Sequence, residues 1–78
     1  MTIYNTKSNQ IHLIGSNCTL KVEKDRFGEN YTIIAQTFSG DERAIASGTL
    51  EKCQDIISTC AAALNTDKNP ENAYIKIY

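Results

Sequence analysis

None of the 78 residues lies in an apolar run approaching the roughly 20 residues that a membrane-crossing helix needs. The opening MTIYNTKSNQ lacks the basic-then-apolar order of an export signal, so the cytoplasm is the expected compartment and no membrane partner is expected. Eight Lys/Arg and nine Asp/Glu are scattered without a block of either sign, for a formal net charge of −1. The missing basic stripe argues against a nucleic-acid partner. No phosphate loop, nucleophile elbow, zinc-protease motif or C-x-x-C pair occurs, and no metal or cofactor is expected. His12 is the single histidine, set between Ile11 and Leu13 with no nucleophile or carboxylate beside it. A small enzyme working through His12 or Cys18 is therefore the least supported reading, and the chain is not expected to be an enzyme.

What is present is ordinary globular composition, 41% apolar and 22% charged, enough for a single domain over 1–78 and no more. At this size the core is small, and such chains often lean on a partner copy.

The first half is punctuated by turn residues. Gly15-Ser16-Asn17 separates QIHLI from CTLKVEK, Phe27-Gly28-Glu29-Asn30 precedes YTIIAQTF, and Ser39-Gly40-Asp41 precedes RAIAS. β-branched runs broken in this way predict antiparallel strands joined by hairpins. In 18–24, Cys18, Leu20 and Val22 alternate with polar residues and mark an inward face. In 31–38, Tyr31, Ile33 and Ala35 share one face while Ile34 and Phe38 take the other.

After Gly48 the period changes to about 3.6: Leu50, Cys53, Ile57, Cys60 and Leu64 form the stripe of an amphipathic helix. Thr49 is the expected N-cap and Asn65 the expected left-handed residue at the other end. NTDKNPEN reads as a loop and AYIKIY as a short last strand, with Ile75 and Ile77 toward the helix and Tyr74, Lys76 and Tyr78 outward. The expected fold is α+β: an antiparallel β-meander of three to four strands, one amphipathic helix packed on the sheet, and a final C-terminal strand.

Cys53 and Cys60 lie on the buried stripe. Seven helical residues advance about 10.5 Å, too far for a disulfide or a shared zinc ion. Both are read as core filler. Cys18 points to the same core, and whether it pairs with a helix cysteine stays open, although reduced thiols are the rule in a cytoplasm.

Two candidate binding sites remain. Ser47, Gly48 and Thr49, at the helix start, present amides and hydroxyls suited to a phosphorylated or nucleotide-type ligand. Tyr74, Lys76 and Tyr78, with Tyr4, Ile34 and Phe38, form the candidate protein interface, because tyrosine brings large contact area at low entropic cost. An apolar second sheet face on so small a chain also predicts a homodimer.

FSGDERAIASGTLEKCQDIISTCAAALN followed by YIKIY resembles the layout of small bacterial and phage α+β proteins, over residues 31–78. These place a helix opening like TLEKAKEIL before a Tyr-rich last strand. Similarly small proteins include phage-encoded inhibitors of bacterial defence, such as anti-CRISPR proteins and nucleotide-signal sponges. That analogy implies a non-enzymatic protein-binding module, with a defence-system protein as partner, and a nucleotide-type sponge as the alternative. It supplies no catalytic residues.

Overall fold

The computed structural model describes residues 1–15, 17–66 and 72–78. It is an α+β fold in which one helix packs on two three-stranded sheets. Ser16 of the first turn, and residues 67–71 of the expected loop, lie outside the described residues.

The meander is present as β3 (Thr19–Lys24), β4 (Tyr31–Gln36) and β5 (Glu42–Gly48), antiparallel throughout. Leu20, Val22, Ile33 and Ala35 supply its inward side. Its outward side is largely polar: Lys21 pairs with Glu23 at 3.0 Å and reaches Glu42 at 3.4 Å. The β4–β5 register slips between Ile33 and Ile34, leaving Ile45 as an extra residue in a bulge. That slip turns two consecutive residues, Ile45 and Ala46, into the core.

The second sheet has the order β2-β1-β6, from β1 (Thr2–Asn5), β2 (Gln10–Leu13) and β6 (Tyr74–Ile77). β1, a strand the polar opening of the chain did not announce, is its centre. It pairs antiparallel with β2 and parallel with β6, so the last strand joins the first rather than the meander. Thr2 N donates to Ala73 O (2.8 Å) and Thr6 N to Ile77 O (2.9 Å), extending the parallel ladder at both ends. The β1–β2 turn is built on Asn5, whose Oδ1 accepts from the amides of Lys7 (3.0 Å) and Ser8 (3.4 Å), and on Asn9 at φ 55°. The Asn5 Nδ2 donates to the carbonyl of Ile45, the bulge residue, at 2.9 Å. One buried amide thus ties the two sheets together and uses a carbonyl that the ladder leaves over.

Helix α1 (Leu50–Thr66) bears on β3, β4, β5 and β6, closing both sheets over one core. Thr49 is its cap: Oγ1 accepts from Lys52 N at 3.2 Å. Cys53 and Cys60 are buried among Ile3, Ile33, Ile75 and Ile77 in the core, as their stripe requires. Cys53 also donates a weak thiol bond to Tyr31 O at 3.6 Å. Leu50 and Leu64, at the ends of the stripe, remain partly exposed. Asn65 is inside the helix, not a left-handed terminator, because α1 continues to Thr66. Among the described residues, no helix is long and apolar enough to cross a membrane.

Candidate functional site

Strand β2 inverts the usual rule that polar residues face water. Its edge places His12, 4% exposed, against the core, with Ile14 continuing on the same side just beyond the strand. Ile11 and Leu13 then face out, 65% and 70% exposed. A period of two separates the faces of a strand but does not say which is inward. Here Ile14 decides it: an aliphatic residue in phase with His12 is drawn into the core beside β1, and the imidazole follows.

The register of the sheet sets these residues in rows. Ile11, Tyr4 and Lys76 lie across the three strands in one row, and Leu13, Thr2 and Tyr74 in the next. Directly opposed side chains on neighbouring strands are about 5 Å apart, so the rows form one surface. Tyr78 extends it past the end of β6, with Lys76 Nζ 5.3 Å from its ring centroid. Tyr4 Oη donates to Asn9 Oδ1 at 3.2 Å, holding that ring over the hairpin. The two rows contain no carboxylate and a single cation.

Four of the six expected interface residues, Tyr4, Tyr74, Lys76 and Tyr78, therefore come together on the outer face of one sheet. Two do not. Ile34 is half-buried on the outward side of the other sheet, opposite Lys21 and Ala44. Phe38 is not on a strand, because β4 ends at Gln36; it stands 97% exposed in the turn before β5. That turn is closed by Thr37 N to Asp41 O (2.8 Å) and by Gly40, whose φ of 96° suits a residue without a side chain. Ile11 and Leu13 were missed because the alternation I-H-L suggests an outward histidine.

At the helix start, Ser47 is exposed at the end of β5 and Thr49 Oγ1 is engaged in capping. Gly48 leaves room for the stem of Lys52, whose Cδ lies 3.1 Å from where a Cβ would stand. The Lys52 ammonium is pulled below its ordinary pKa by the close approach of the Lys7 ammonium, a second donor of like charge. Two cations thus share this end of the helix. A hollow of about 390 Å³ beside it is lined by Lys7, Ser8 and Ser47, among others.

The histidine and the two helix cysteines are buried. Burial, then the charge of Arg43, holds His12 below its usual pKa, so the ring is neutral near pH 7. Its Nε2 has no hydrogen-bond partner among the described residues. Burial also pushes the thiols of Cys53 and Cys60 upward, which makes thiolate scarce. Among the described residues no group of three His, Cys, Asp or Glu side chains is arranged to hold a metal ion. No protein-family model, curated protein or solved structure matches this chain.

Proposed function

We propose that this chain is a non-enzymatic protein-binding module whose contact surface is the outer face of the β2-β1-β6 sheet. The observation that carries the reading is the display of Ile11 and Leu13, two largely exposed aliphatic side chains on a sheet edge, in register with Tyr4 and Tyr74. Apolar surface gathered in this way is the usual mark of an interface, and tyrosines beside it are the residues interfaces favour. The analogy with similarly small phage-encoded inhibitors of bacterial defence directs the choice of partner to a defence protein in the cytoplasm, and in its absence a second copy of the chain uses the same face.

The test combines light scattering at micromolar concentration with cross-linking in a bacterial extract. The unaltered protein should run as two copies and cross-link to a defence component. The double variant Ile11→Glu, Leu13→Glu should run as one copy and lose that cross-link. Its melting temperature should fall only by what the second copy contributed and should no longer depend on protein concentration, since the exposed positions themselves contribute little to folding. Phe38→Ala, off this face, should behave as the unaltered protein; loss of contact in that variant instead would overturn the assignment.

A second reading is favoured by the Lys7–Lys52 pair beside Ser47, Gly48 and Thr49: a phosphorylated ligand would relieve the repulsion of the two ammoniums. Pyrophosphate at about 100 times its dissociation constant should then add about 2.7 kcal/mol of stability, and Lys7→Glu should abolish the gain. An unchanged melting curve with pyrophosphate and with nucleotides removes this reading.

A further inference from the structure

A different part of the molecule carries its own inference. Where the second half of α1 passes over the ends of β2 and β3, the described side chains do not close. They leave a hollow of about 680 Å³, lined chiefly by Leu13, Ile14, Leu20, Ile57, Cys60 and Leu64. Ligand pockets commonly measure roughly 300–1,000 Å³. The hollow has depth as well as volume, since Cys60 and Ile14 are buried at its floor while Leu13 and Leu64 are exposed at its rim. Every described lining side chain is uncharged, and Thr2, Cys18 and Cys60 bring the polar side-chain atoms; the charge at the wall is the Met1 ammonium, which donates to Ile14 O at 3.1 Å.

We propose that this hollow is a binding site for a small uncharged apolar molecule, a neutral aromatic or alkyl compound. Three features specify that chemistry. A charged ligand would surrender its hydration to side chains that carry no countercharge, with the Met1 ammonium already engaged by the carbonyl of Ile14. A buried floor admits something that enters between helix and strands, unlike a flat contact that another protein would cover. Walls of aliphatic carbon around a space this large lack packing partners, and an apolar occupant supplies them. The site borders the outer sheet face along Thr2 and Leu13 but does not depend on it, and its test reads a small molecule, so the two proposals stand or fall separately.

The probe is N-phenyl-1-naphthylamine, an uncharged fluorophore that brightens in apolar surroundings. Titration should give a saturable single-site curve. Bound probe should also slow the reaction of Cys18, half-buried in the wall, with a thiol reagent. Ala61→Trp, at an exposed rim position, should weaken binding by roughly tenfold or more, whereas Gln54→Trp, exposed on α1 outside the hollow, should leave it unchanged. A linear, unsaturable rise would overturn the proposal, as would equal weakening in both variants or Cys18 labelling indifferent to the probe. The labelling arm uses the unaltered chain, so the test survives a variant that fails to fold.

Discussion

His12 is held neutral in the core, opposite Ile3 and within the influence of Arg43, whose guanidinium donates to the carbonyl of Leu13 at 3.4 Å. Its pKa in the folded chain lies below the ordinary 6.5, which fixes the sign of a pH effect. Above pH 6.5 neither folded nor unfolded chain carries the proton, and the full stability is present. As pH falls through 6.5 the unfolded chain takes it up first, so stability declines until the folded-state pKa is passed and then levels. Denaturation midpoints between about pH 8 and pH 5 should show this decline, and His12→Phe should remove the histidine's share of it. An identical slope in the two proteins would mean that the ring is solvated in the native state.

At the scale of elements, the informative feature is the bulge in β5. Inserting Ile45 between the pairs Ile33–Ala46 and Ile34–Ala44 buries two successive side chains and leaves a main-chain carbonyl to be satisfied. Asn5 satisfies it from the other sheet while its Oδ1 holds the β1–β2 turn. Asn5→Ala should therefore destabilise the fold by about 1–3 kcal/mol, the range for a buried group left without its partner. Asn5→Asp keeps the turn acceptor and loses the donor to Ile45, so it separates the two contributions. Guanidinium denaturation at constant slope reads both. The helix needs no such tie, because its start is set locally by Thr49 and its burial by the spacing of Cys53, Ile57 and Cys60. These were legible in the chain; the helix end was not, since Asn65 is compatible with either a left-handed cap or another helical turn.

For the molecule as a whole, the two ends of the chain build one sheet. Thr6 Oγ1 donates to Ile77 O at 2.7 Å across 71 residues of sequence. That closure puts the tyrosines of β6 beside Tyr4 and the aliphatic residues of β2, and so assembles the proposed contact face. The face was partly legible: an outward Tyr74, Lys76 and Tyr78 follows from alternation once Ile75 and Ile77 are inward. Phe38 falls elsewhere because the chain is already turning beyond Gln36, and Ile34 because β4 belongs to the other sheet.

The amino-acid sequence alone determined the elements that depend on neighbours a few positions apart: the hairpin-linked strands β3 to β5, the capped helix, and the inward side of its cysteines. Periodicity and turn chemistry act over that distance, and they are written in consecutive residues. Only the tertiary structure decided that β6 joins β1, that His12 rather than Ile11 and Leu13 faces inward, and that a hollow walled mainly by apolar side chains opens under α1. Each of those depends on which surfaces, distant along the chain, compete for the same small core.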